Sequence, residues 1–150
     1  MDLQTLTDHF AIPSVLAFSE NEHGLIRAAI TTPACTAELY LQGAHLTQWQ
    51  PTGQKPALFL SDRSAFIPGK AIRGGVPLIF PWFGGRTATA ENQRTDGPSH
   101  GFARTADWTL AFAALGSLSR AAAGLLRGET NDLWELAAAG RDLATEAFGE

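Results

Sequence analysis

The hydrophobic periodicity of this chain changes once, near residue 112, and that change limits the folds open to it. Before the change, apolar residues recur in twos. Cys35, Ala37, Leu39 and Leu41 alternate with Thr36, Glu38 and Tyr40, the pattern of a strand with one buried face. Leu25–Ile30 reads as the preceding strand, separated by Thr31-Thr32-Pro33, and Ala44–Trp49 resumes the alternation after Gly43. Pro51-Thr52-Gly53 is a turn, and Ala57–Leu60 a short apolar strand. Val76–Phe83 is apolar but holds Pro77 and Pro81, which fits an edge strand or a buried extended loop and excludes a central helix. Asp107–Phe112 completes the strand-like part. Residues 111–150, by contrast, hold 11 Ala and no Pro, with Thr130 and Thr145 the only β-branched residues. Asp132 and Glu135 have the spacing of a capping box, and Leu133, Leu136, Ala137, Leu143, Ala144 and Ala147 recur at helical intervals. A weaker helical stretch over Ser117–Arg127 is interrupted by Gly124. The pattern predicts an all-β fold over residues 1–112 and an Ala-rich helical tail over 113–150.

Composition narrows the class. A chain of 150 residues with 45% hydrophobic and 17% charged residues is long and apolar enough to bury a core and is not a disordered type. A formal charge of −4 argues against a nucleic-acid or membrane-surface binder. Cys35 stands alone, so no internal disulfide forms, which fits a reduced, cytoplasmic protein. The start, MDLQTLTDHF, carries acids and no early cation, unlike a signal peptide. The charge-free run Gly74–Gly85 is 12 residues and holds two prolines, too short and too broken to span a bilayer. His9, His23, His45 and His100 show no metal-ligand pairing, Gly69-Lys70 lacks the rest of a phosphate-binding loop, and no Ser sits between glycines as a nucleophile.

The charge that matters is local. Residues 63–104 hold Arg63, Lys70, Arg73, Arg86, Arg94 and Arg104 against Glu91 and Asp96, a net of +4, so the rest of the chain carries −8. Such an island is either a set of solvated loop cations or a site for a small anion. Two segments in it carry chemistry. Lys70-Ala71-Ile72-Arg73-Gly74-Gly75 sets cations beside paired glycines, where backbone approaches a ligand closely and a guanidinium fork matches phosphate oxygens. Pro98-Ser99-His100-Gly101-Phe102-Ala103-Arg104 is a turn bearing a hydroxyl, an imidazole and a second guanidinium. A lone histidine beside glycine serves either as a structural hydrogen-bonder or as a proton carrier.

Five blocks occur in one order: Gly43-Ala44-His45-Leu46-Thr47-Gln48-Trp49-Gln50-Pro51, Leu58-Phe59-Leu60-Ser61, Gly69 to Pro77, Phe80-Pro81-Trp82-Phe83-Gly84, and Ser99 to Arg104 with Trp108. In that order the chain resembles the glucose-6-phosphate 1-epimerase (hexose-6-phosphate mutarotase) family, relatives of aldose 1-epimerase. The resemblance covers residues 12 to 112. It implies an antiparallel β-sandwich of the galactose mutarotase kind, here partial, and an isomerase reaction that interconverts the α and β anomers of a hexose phosphate without metal or organic cofactor. It makes Arg73 a substrate and phosphate contact, sets Ser99 beside the sugar, has His100 hydrogen-bond the sugar ring, and has Arg104 complete the anion clamp.

The resemblance also implies what is missing. Ring opening needs a base and an acid, which the family draws from a second His and a Glu downstream of the matched region. This sequence has no His after His100, and Glu129, Glu135, Glu146 and Glu150 lie in the tail outside any family motif. Two functions follow as expectations: an epimerase by descent whose acid/base pair is absent, or a non-catalytic sugar-phosphate-binding module or inactive fragment. In the binding module the helical tail would cover exposed sheet edges, whereas an open half-sandwich leaves them uncovered and invites self-association. Trp49, Trp82, Phe83 and Trp108 are expected to pack the fold, with Trp82 or Phe83 stacking on a sugar as the alternative. His45 is expected to be structural, and Gly74, Gly75 and Gly84 to shape backbone near the site.

Overall fold

The computed structural model describes residues 1–88, 94–111 and 113. Apart from residue 113, the helical tail expected over 113–150 lies outside them. The described elements, in chain order, are α1 (Leu3–Phe10), β1 (Leu16–Glu20), β2 (Ile26–Thr31), β3 (Cys35–Tyr40) and β4 (His45–Pro51), followed by one 3-10 turn at Ala103–Thr105. The strands form one antiparallel sheet in the order β1-β2-β3-β4. The fold is thus antiparallel and all-β in class, with α1 as a short addition. Among the described residues no helix is long and apolar enough to cross a membrane.

Local chemistry explains each connection. Asp2 caps α1 by accepting a 2.8 Å hydrogen bond from the Thr5 amide, and Leu6 is the residue of α1 that becomes fully buried. Between β1 and β2, the Asn21 side chain accepts from the amides of His23 and Leu25, while its own amide reaches Phe66 O at 2.9 Å. Between β2 and β3, the Thr32 hydroxyl accepts from the amides of Ala34 and Cys35.

Register divides the sheet into two unlike faces. The pairs Phe18–Ala28, Ala28–Leu39, Ile30–Ala37 and Ala37–Trp49 run across one face, which is the apolar one expected from the alternation in β3. The other face carries Arg27 opposite Tyr40, and Tyr40 opposite His45. Arg27 and Glu38 form a 3.0 Å ion pair there. Toward the β3–β4 turn this face is covered by the long segment after β4. Ile72 joins Leu25 and Tyr40 in a buried cluster, with Leu60 and Phe66 packed against it and the Tyr40 and Phe66 rings 5.1 Å apart. A shift of register between Glu38 and Leu39 inserts Thr47 as an extra residue on β4. Its hydroxyl donates to Glu38 O at 3.2 Å.

Several expectations need correction. The strands expected over 57–60 and from Asp107 onward are reduced to isolated bridges, Leu60 to Gly74 and Gln42 to Asp107. Val76–Phe83 is extended but neither a strand nor buried. It touches the sheet through a Leu46–Val76 bridge, and Val76 (47%), Leu78 (39%) and Phe80 (61%) are exposed. Two prolines leave that segment too few amides for a ladder. Packing does not account for Trp49, Phe83 and Trp108, all exposed, with Phe83 at 82%. Trp82 is half-buried and donates from Nε1 to Pro98 O at 3.0 Å.

Candidate functional site

The segment between Leu60 and Gly75 lies on the polar face, and its shape is set by backbone bonds from short polar side chains. The Arg73 amide donates to Ser64 Oγ at 3.1 Å, and Arg73 O accepts from the Ser61 amide at 3.0 Å. Gly75 then fits flush against β4: its amide donates to Phe59 O at 2.7 Å, and the next amide, of Val76, donates to Leu46 O at 2.8 Å. The second cationic segment returns beside the first. The amides of Phe102 and Ala103 both donate to Phe80 O, and Gly43 donates to Ala106 O at 2.7 Å, which brings Arg104 against the β3–β4 turn.

These two segments border an open cavity of about 760 Å³ lined by Arg63, Ala65, Lys70, Ala71, Arg73 and Arg104. Arg73 and Arg104 therefore share one concavity, and Arg63 and Lys70 join them. Among the described residues no carboxylate lines it. Elsewhere in the basic island the cations have other neighbours. Arg94 forms a 2.7 Å ion pair with Asp96, and Arg86 lies 4.0 Å from the same carboxylate with its guanidinium 4.7 Å above the Trp82 ring. Among the described residues, Arg63, Lys70 and Arg73 have no ion-pair partner for their side chains. Arg104 is held by a 2.7 Å bond from one terminal nitrogen to Ser99 O, and its Nε is buried without a partner.

Ser99 and His100 stand at the edge of this arrangement and do not line the cavity. Ser99 touches Arg104 through its carbonyl, not its hydroxyl. His100 adopts φ +65° and is fixed from both sides of Gly84, donating its amide to Gly84 O and accepting the Gly84 amide on Nδ1 at 3.0 Å. The accepting nitrogen carries no proton, so in the neutral ring Nε2 carries it. The exposed Phe83 ring meets the imidazole edge-on at 4.8 Å.

His45, the first residue of β4, lies against the backbone of Gly74 and Gly75. Its ring is fully buried, Nε2 is 2.7 Å from Gly74 O, and Nδ1 has no partner. A carbonyl only accepts, so Nε2 carries the proton and Nδ1 is bare. Burial pushes the pKa of His45 down, and the charge of Arg104 pushes the same way against the bond to Gly74. The unfolded chain then takes up a proton that the folded chain refuses. Stability is complete above the unfolded value near 6.5 and falls as pH drops from there toward the lowered folded value. We expect the urea midpoint of the native protein to fall from pH 7 to pH 5.5 by more than that of His45→Gln, with a slope difference of at most about 1.4 kcal/mol per pH unit. Equal slopes would mean that His45 titrates normally.

Among the described residues no group of three or more His, Cys, Asp or Glu side chains comes together as a metal site. The comparison that decides kinship is a match to the sequence model for aldose 1-epimerase over residues 27–114, more than half of the chain. The chain belongs to the aldose 1-epimerase family.

Relatives within this family place it more finely. Two proteins named "Putative glucose-6-phosphate 1-epimerase" are similar over 78 residues: one of Escherichia coli (strain K12) at 49% identity and one of Salmonella typhimurium at 47%. Each match covers 52% of this chain and 24% of the relative. The crystal structure of a "putative mutarotase" from Salmonella typhimurium superimposes with a TM-score of 0.59 at 37% identity, over 68% of this chain and 32% of that one. The crystal structure of HI1317 gives 0.61 at 32% identity, over 71% and 36%. This aldose 1-epimerase family chain thus spans about a quarter of the length of the curated relatives it matches. All the cavity-lining cations lie within the matched residues 27–114. Arg63 and Lys70 line the cavity without having been expected as contacts, although both belong to the basic island.

Proposed function

We propose that the cavity is the phosphate-binding part of a hexose 6-phosphate site of the glucose-6-phosphate 1-epimerase type. One observation carries this reading: four cations, Arg63, Lys70, Arg73 and Arg104, share one cavity with no acid among the described residues that line it. A volume of about 760 Å³ falls within the range of small-ligand sites. A dianionic phosphate monoester suits such a setting, since guanidinium forks bind two oxygens at once and Lys70 adds a point charge. His100, one residue from the carbonyl that holds Arg104, has an N–H to offer a sugar hydroxyl, with the exposed Phe83 ring beside it.

The described residues supply binding and orientation. They supply no pair of groups to take the anomeric proton and protonate the ring oxygen, since the described residues that line the cavity are cationic or apolar and His45 is fully buried. In this reading the chain binds a sugar phosphate through its described residues. Mixing it with freshly dissolved α-glucose 6-phosphate and following both protein shifts and anomer exchange by NMR tests this. The expected result is saturable shift changes at residues around the cavity, with exchange at the buffer rate. Absence of shift changes would remove the binding reading, and exchange faster than buffer would show that this chain holds a proton-transfer pair after all.

A further inference from the structure

Gln42 in the β3–β4 turn and His45 at the start of β4 are buried polar side chains close to the cavity, and neither of them lines it. Gln42 is 2% exposed and His45 fully buried. A buried amide or imidazole is tolerated where its polar atoms are engaged, and these bond to a single stretch of backbone. Gln42 Nε2 donates to Lys70 O at 3.0 Å, while its Oε1 accepts from the Gly69 amide at 2.7 Å. His45 Nε2 donates to Gly74 O at 2.7 Å. The stretch from Gly69 to Gly74 is thereby pinned at both ends, and Lys70 and Arg73 are the cations it presents to the cavity. Between the pins, Ile72 is 4% exposed and packs with Leu25 and Tyr40, so the middle of the stretch is anchored too.

From this arrangement we infer that Gln42 and His45 are positioning residues for anion binding, acting through the backbone of Gly69–Gly74 to fix where Lys70 and Arg73 point. The inference rests on the reading of the cavity as an anion site. Its physical basis is entropy and reach. Long cationic side chains on a loose loop lose more freedom on binding than the same side chains on a fixed one, and displacement of a binding group by about 1 Å is enough to cost up to a hundredfold. The Gln42 amide is specific in a way a carboxylate is not, because it must both donate and accept. His45 must hold its proton on Nε2, which the Gly74 carbonyl enforces.

The test is titration with glucose 6-phosphate and, separately, with inorganic phosphate. Gln42→Leu and His45→Leu are expected to weaken binding of both about tenfold or more. His45→Gln, which keeps an N–H within reach of Gly74 O, is expected to stay within about threefold of the native protein, a rescue that bulk packing does not provide. Where a leucine variant does not fold, His45→Asn replaces it: polar, but too short to reach, and expected to bind as weakly. Native-like binding by folded Gln42→Leu and His45→Leu, or equal weakness of His45→Gln and His45→Asn, overturns the inference. In the native protein, 15N spectra of the imidazole should show Nε2 protonated and Nδ1 bare, and the opposite tautomer would overturn the His45 pin without any variant. Failure here is separable from failure of the site itself. Loss of binding in Arg73→Ala and Arg104→Ala with binding intact in the turn variants removes only the positioning role, whereas intact binding in the arginine variants removes the site.

Discussion

Gly75→Ala should cost the fold about 4 kcal/mol or more, a loss at the high end for a single substitution. Two effects add. Gly75 has φ +63°, a conformation that costs an alanine about 1 kcal/mol or somewhat more. A methyl group there would also overlap Leu46 O and lie 2.9 Å from His45 Nε2 and 3.1 Å from Thr47 Cα. Two of those three neighbours are backbone of β4 and cannot swing aside, so relief requires the segment to lift off the sheet and break the Gly75–Phe59 and Val76–Leu46 hydrogen bonds. Gly69 supplies the control. Its φ is +73° but nothing lies within 4 Å of a methyl placed there. Gly69→Ala should therefore show only the conformational cost, about 1 kcal/mol. Urea midpoints of the two variants against the native protein separate the cases. Similar midpoints for both would mean that the approach of Gly75 to β4 is looser than described.

Arg73→Ala and Arg104→Ala should each weaken glucose 6-phosphate binding about thirtyfold, or roughly 2 kcal/mol, the usual worth of a hydrogen bond to a charged group. Their combination should fall short of the product, because both guanidiniums act on one phosphate. The two differ in what a lysine can replace. Arg73 is exposed and without an ion-pair partner among the described residues, so Arg73→Lys should recover much of the affinity. Arg104 is half-buried and already bonds Ser99 O with one terminal nitrogen, leaving another for the ligand. A single ammonium does not divide itself between the two, so Arg104→Lys should recover little. Raising salt should weaken native binding, since the cavity is open enough for ions to screen it. Equal rescue at both positions would argue that the fork of Arg104 has no special part. Unchanged affinity in both alanine variants would dismiss the clamp.

Much of the sheet was legible because alternation is a direct print of burial. Thr36 and Glu38 face away from Ala37 and Leu39, and β2, β3 and β4 fall within two residues of their expected bounds. The two elements not foreseen are short. β1 covers Leu16–Glu20, where Phe18 and Leu16 give too few repeats to stand out, and α1 is an eight-residue helix whose Asp2 cap precedes few apolar positions. The strands expected at 57–60 and from Asp107 onward failed for another reason: an apolar run does not state whether an edge is available to pair with. The site was half legible. Charge counting finds the basic island, and Arg73 and Arg104 can be chosen from it, but Asp96 decides which cations are already engaged, and its neighbours are a matter of folding. Gln42 carried no signal at all, because an uncharged amide in a turn looks the same whether it faces water or grips two backbone groups.

The four cations that line the cavity, with no acid beside them among the described residues, have a consequence for the fold. Like charges gathered in one hollow repel one another and push on the loops that form it. A dianion seated there removes that pressure, and by mass action whatever binds the folded chain alone also holds it folded. Occupancy and endurance are thus coupled: the chain should be at its sturdiest where its anion is abundant, and most easily opened where small anions are scarce.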